Sequence, residues 1–297
     1  MQEITVRFGA MEIHQIPPLR NPIMVIAFSG WNDAGGAAIG AVEHLTTTWT
    51  SELNSNALLN IASIDSEEFY DFQVNRPLVF TDETGTRKIT WPTTQVFGVL
   101  RPEFTNDFVL VKGVEPSMRW QSFTNELLDL ADDLEVAMII TLGSLLADIP
   151  HSRPIEVNLS AASESIAKRL RVNVSDYEGP TGILGVIHDG CMRRGIDAIS
   201  LWVPVPHYAA NAPSPKASLA LIHAIEDYLS ISIPQDDLAV ASDSWEADVN
   251  SLAAEDSDVA EYIKSLEESR DAVDLPDASG EMIAKEFERY LRRKRED

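Results

Sequence analysis

Residues 123–154 read FTNELLDLADDLEVAMIITLGSLLADIPHSRP, and this stretch decides the fold class. Phe123, Leu127, Leu130 and Leu134 fall at the i, i+4, i+7, i+11 spacing of one helix face. Val136–Leu142 (VAMIITL) follows at once. It is rich in β-branched residues, carries Thr141 as its one polar side chain, and ends at Gly143. A strand apolar on both faces is covered on both faces, as in sheets whose strands alternate with helices. Working outward, Ile23–Phe28, Leu58–Ile64, Gln95–Leu100, Asp107–Lys112 and Ala198–Val205 read as further strands. Ala34–Leu45, Ser160–Leu170, Gly182–Arg194 and Ser214–Leu229 read as helices, the last with Pro215 in its first turn. This alternation predicts an α/β protein with a mainly parallel central sheet and right-handed crossovers. Glu67–Thr94 is polar, carries aromatics and a Thr84-Gly85 turn, and reads as a β-excursion off that sheet.

The pattern changes near Pro234, which ends the preceding helix. Residues 1–234 are expected to form the α/β core domain, and 235–297 an acidic C-terminal helical extension. That extension holds 19 acidic and 8 basic residues. Trp245, Val249, Leu252, Val259, Ile263 and Leu266 recur at helical intervals over much of it. Glu281–Arg295 places Ile283, Phe287, Tyr290 and Leu291 on one face. Both segments are expected to be helices that dock on the body or on a neighbour. The basic run Arg292-Arg293-Lys294-Arg295 reads as cations set against a helix C-terminus.

The chain has 297 residues and a formal net charge of −24. Such a field repels polyanions, so nucleic acid and anionic membranes are not expected partners. No apolar stretch reaches the roughly 20 residues of a spanning helix. No basic region followed by an apolar one marks the N-terminus as a secretory signal. Cys191 is the only cysteine, which excludes an intrachain disulfide and fits a reducing, cytoplasmic compartment.

Chemistry, if present, would sit in four loops. Ser29-Gly30-Trp31-Asn32-Asp33-Ala34-Gly35-Gly36 joins a strand to a helix, whose N-terminal amides can hold an anion. It lacks the lysine and the glycine spacing of nucleotide-binding loops. It reads more simply as a tight turn in which Asn32 or Asp33 caps the helix. Gly143–Pro154 follows the central strand and brings Ser144, His151 and Arg153 to a strand end, where open α/β sheets bind ligands. Ser144 is not in a nucleophile-elbow motif. Tyr177–Gly182 supplies Glu178, and Pro204–Tyr208 supplies His207. The candidate ligand pocket is therefore Ser29, Asn32, Asp33, Gly35, Gly36, Ser144, His151, Arg153, Glu178 and His207. No catalytic residue, metal ligand or cofactor is assigned. The six histidines show no metal-binding spacing. Cys191 reads as a buried structural thiol.

The segments SGWNDAGGAA, EFYDFQVNRP, GSLLADIPHSRP, YEGPTGILGVIHDGC, SLWVPVPHY and NAPSPKASLALIHAIE together resemble the proteasome-assembly-chaperone family, specifically its actinobacterial branch. The tail segment LPDASGEMIAKEFERYLRRK resembles the tail of that branch. The resemblance implies a three-layer α/β sandwich similar to nucleoside phosphorylases and hydrolases, and homo-oligomers, with a trimer as the first expectation. It also implies binding to proteasome subunits. It carries over no catalytic residue. Archaeal relatives end in a hydrophobic–Tyr–any-residue tail, whereas Arg-Glu-Asp stands last here, so that docking mode is not carried over. The leading expectation is a non-catalytic, self-associating protein-binding and assembly factor. The alternative is an enzyme on a phosphorylase-like or hydrolase-like fold acting on a small ligand at the strand-end loops. A third is an acidic scaffold unrelated to proteasomes.

Overall fold

The computed structural model describes residues 6–52, 58–273, 288–289 and 291–292. In chain order the strands are β1 (Val6–Phe8), β2 (Met11–Ile13), β3 (Ile23–Ser29), β4 (Leu58–Ile64), β5 (Leu78–Thr81), β6 (Arg87–Thr90), β7 (Thr94–Val99), β8 (Phe108–Val114), β9 (Met138–Ala147), β10 (Asn158–Ala161), β11 (Asn173–Val174) and β12 (Ala198–Pro206). The helices are α1 (Ala37–Glu52), α2 (Trp120–Asp133), α3 (Glu164–Leu170), α4 (Ile183–Arg194), α5 (Pro215–Leu229), α6 (Asp236–Glu255) and α7 (Ser257–Val273). The chain forms a large mixed α/β sheet flanked by helices, followed by C-terminal helices, as its alternating pattern predicts. Among the described residues ten strands run in the order β1-β2-β4-β7-β8-β3-β9-β12-β10-β11. β3 pairs in parallel with β8 and β9 at the centre. The β2-β4-β7-β8 side is antiparallel.

The chain forms two compact units. The first comprises Met1–Asn32, Trp49–Leu142 and Leu159–Ser200. Its core is the apolar centre of the sheet. Met24–Phe28 of β3 and Ile139, Ile140 and Leu142 of β9 are fully buried. α2 lays Phe123, Leu127, Leu128 and Leu130 into this core. Phe123 meets Phe28 and Phe69 edge to face, with ring centroids at 5.6 and 5.3 Å. Burial of side chains this size contributes about 1.5–3 kcal/mol each.

The second unit comprises Asp33–Thr48, Gly143–Asn158 and Leu201–Asp297. Here α6 packs on α5, and α7 on α6. Of the apolar positions read in the extension, Val249 and Ile263 are buried, while Leu252 stays exposed. The helix breaks at Asp256, whose carboxylate accepts from the backbone N–H groups of Asp258 and Val259 and so starts α7. Arg289 pairs with Asp227 at 3.0 Å. Arg292 donates to the carbonyls of Glu226 and Ile231 at the C-terminal end of α5. The cation thus serves the dipole of another helix. The rest of the expected 281–295 helix lies outside the described residues.

Two expectations need correcting. The stretch Ser160–Leu170 is not helical throughout. β10 takes residues up to Ala161, and α3 begins only at Glu164, because Ser163 is extended and its hydroxyl accepts from Ile166 N. The helix expected from Ala34 begins at Ala37, after a 3-10 turn in which Gly35 and Gly36 both have positive φ. The β-excursion is present as the separate two-stranded hairpin β5–β6. Among the described residues no helix is long and apolar enough to cross a membrane.

Candidate functional site

In the first unit, the turn after β3 is organised by Glu115, at the end of β8. Glu115 N donates to the Ser29 carbonyl at 2.9 Å. Ser29 Oγ makes only a long contact, 3.4 Å, to the Gly113 carbonyl. Asn32 is 1% exposed, and its Nδ2 donates to Glu115 Oε1 at 2.6 Å. The same oxygen accepts from Ile183 N, the first residue of α4, at 2.9 Å. α4 has no acidic residue of its own in its first turn. Glu115 therefore supplies the negative charge that a helix N-terminus favours. Gly182 stands where this happens. A Cβ there would lie 2.4 Å from Asn32 Oδ1 and 2.7 Å from Glu115 Oε1, so the close approach requires glycine. Glu178, on the preceding loop, is exposed.

In the second unit, Asp33 forms an isolated bridge with Ser144. Its Oδ1 accepts from Ala38 N at 2.7 Å, which caps the start of α1, and from Ser144 Oγ at 3.2 Å. The Ser144 hydroxyl is shared with the Ala34 carbonyl at 2.8 Å. Burial pushes the Asp33 pKa up, and its hydrogen bonds from Ala38 and Ser144 pull the other way. Gly35 sits at φ 62° with Val205 and Ser214 against it, and a Cβ would come within 2.9 Å of Ser214 Cβ. Gly36 shares the positive φ. The turn reading thus holds in a divided form: Asp33 caps α1, and Asn32 turns to Glu115.

The other expected residues of this unit meet the C-terminal helices. His151 is 1% exposed. Its Nε2 lies 3.0 Å from Asn250 Oδ1 of α6, and its Nδ1 2.9 Å from Tyr208 Oη. An amide oxygen can only accept, so Nε2 carries a hydrogen; in the neutral ring that burial favours, Nδ1 then accepts from the Tyr208 O–H. Tyr208 Oη in turn accepts from His151 N at 2.8 Å. Burial depresses the His151 pKa and raises that of Tyr208 to about 12. Arg153 makes a bidentate pair with Asp271 of α7 at 2.7 and 2.8 Å. Ser152 bonds Glu267, and Lys216 joins the His151 carbonyl to Glu246. His207 Nδ1 lies 3.0 Å from Asp148, which also accepts from Tyr262 of α7 at 3.1 Å. The loop after β9 is thus a seat for α6 and α7.

The organising residues that sequence reading passed over are Glu115, Lys216, Asn250 and Glu267. Glu115 stands directly after a strand, the one signal that could have found it. The tail residues carry none, because polar positions on an acidic helix look alike. Cys191 is fully buried, and burial raises its thiol to about 12, which suits the structural reading. Among the described residues no three His, Cys, Asp or Glu side chains gather as a metal site.

Fold and site together define an α/β protein whose strand-end turns are closed by its own carboxylates, with a pair of helices seated on the loop after β9. The family profile for the PAC2 family matches residues 27–253, and the chain belongs to that family. It is 46% identical to a PAC2 family protein from Streptomyces avermitilis, covering 81% of this chain and 99% of that one, with a TM-score of 0.73. It is 42% identical to Rv2125 of Mycobacterium tuberculosis, described as a proteasome-assembly chaperone homologue, covering 81% and 99%, with a TM-score of 0.71. Both relatives are actinobacterial. Rv2714 of M. tuberculosis, of unknown function, is similar in fold at 24% identity, covering 92% of each chain, with a TM-score of 0.77. No curated protein matches the chain.

Proposed function

We propose that this protein is a non-catalytic assembly factor of the cytoplasm that associates with itself, as a trimer in the simplest case, and binds proteasome subunits. The observation that carries the reading is the likeness over 99% of the length of a mycobacterial proteasome-assembly chaperone homologue, at 42% identity. The state of the candidate pocket supports it. An enzyme needs groups free to meet a substrate, yet Asn32, Asp33, Ser144, His151 and Arg153 are each engaged within the protein. Amides at the starts of α1 and α4 donate to the protein's own carboxylates, so an anionic ligand would have to displace a negative charge. In this reading residues 1–234 serve as a body and 235–297 as an acidic extension docked on it.

The test is reconstitution. Proteasome α and β subunits from the source cell are co-expressed with the full chain or with residues 1–234, and assembly is followed on native gels. An assembly factor raises the yield of complete particles over subunits alone. No change with the full chain would end the proteasome reading.

A further inference from the structure

The hairpin β5–β6 has the wrong surface for a solvated ribbon. All eight of its residues are exposed. Leu78 is 69% exposed, Val79 53%, Phe80 46% and Ile89 54%, and the flanking Val74 and Trp91 are 72% and 46%. The register sets Val79 opposite Ile89, so these share one face, while Leu78 and Phe80 lie on the other. A hairpin with one face in water would alternate apolar and polar; this one carries two exposed apolar side chains on each face. A lone two-stranded ribbon is marginal in water without packing on at least one face. Its shape is nevertheless preset. Asp82 Oδ1 accepts from Thr84 N and Thr86 N across the turn, at 2.9 and 3.0 Å, and Asp82 pairs with Lys88 at 2.8 Å.

Charge says what covers it. Residues 74–91 carry three basic residues (Arg76, Arg87, Lys88) against two acidic ones (Asp82, Glu83), in a chain of net charge −24. The hairpin is a locally cationic, apolar element on an acidic protein, so a second copy, at net charge −24, offers the acidic surface that would complement it. Two hairpins meeting each other would bring Arg87 and Lys88 against like charges. We propose that the β5–β6 hairpin is a docking arm that seats on the acidic surface of a second copy of this chain. Unlike surfaces then meet, which makes the contact head-to-tail. The proposal rests on the self-association reading and names the element that performs it.

The test is light scattering after size exclusion on the full chain, the variant F80E/I89E, the variant R76E/R87E and a chain with residues 78–90 replaced by a short Gly-Ser link. Wild type is expected to be an oligomer. F80E/I89E and the arm-less chain are expected to run as monomers with native circular dichroism and near-native melting, since the arm adds nothing to the core. R76E/R87E should associate at least tenfold more weakly, and added salt should weaken the wild type. An oligomer that survives loss of the arm overturns the inference and leaves self-association standing. A monomeric wild type overturns both. Association sensitive to F80E/I89E but untouched by R76E/R87E overturns the acidic second copy as occupant.

Discussion

Glu115 holds two elements with one oxygen, and this makes it the most informative single residue. Removing its carboxylate leaves the buried Asn32 Nδ2 and the Ile183 N–H without their acceptor. An unsatisfied buried donor costs about 1–3 kcal/mol. Glu115→Ala should therefore lower the urea midpoint by a shift of that order, and Glu115→Gln by less, because an acceptor oxygen remains. Gly182→Ala should also destabilise, by about 1–3 kcal/mol of overpacking, since its Cβ would overlap Asn32 and Glu115. An unchanged unfolding curve in both would contradict the geometry. Histidine sets the pH response. Burial pushes His188 down to about 4 and His151 below its usual value. The unfolded chain then binds more protons than the folded one below pH 6.5, so stability is fully present above about 6.5 and is lost as pH falls towards 4. Melting temperatures across that range should fall with acid. The fall should be shallower in His188→Gln. Asp33, displaced upward, works in the opposite sense, so the comparison between variants carries the test.

At the scale of elements, the seat for α6 and α7 rests on the His151–Tyr208–Asn250 chain and the Arg153–Asp271 pair. Tyr208→Phe removes both the acceptor for His151 N and the donor to its ring. Hydrogen exchange over residues 236–273 should then quicken, with little change in β3 or β9. Uniform exchange in both regions would mean that the helices are not held separately through this seat. The sequence makes these helices legible by their apolar spacing, and Val249 and Ile263 are buried as that spacing implies. It does not reveal their seat, because His151, Tyr208 and Asn250 lie far apart in the chain and their meeting is a tertiary fact. The strands were legible for a similar reason in reverse. β3, β4 and β9 are apolar enough to be read alone, whereas β1, β2, β10 and β11 are two to four residues long and carry no period. Gly182 looked like loop punctuation, and only the approach of Asn32 gives it meaning.

For the whole molecule, family membership and fold follow from the sequence because motifs spread from Ser29 to Glu226 all belong to one architecture. Among the candidate residues, Asp33 meets Ser144, and the His151 and His207 rings both lie edge-on to Tyr208. What spacing could not convey is that these groups are spent on caps and on seating helices. That is a matter of hydrogen-bond partners supplied by distant segments. The proposed role of the protein is to bind proteasome subunits. The most direct measurement is mild cross-linking in the native cell, purification of the tagged chain, and mass spectrometry of what comes with it, run beside a chain ending at Pro234. Proteasome α or β subunits are expected to be enriched with the full chain, together with the protein's own copies. Recovery of its own copies alone, with no proteasome subunit, would contradict that role.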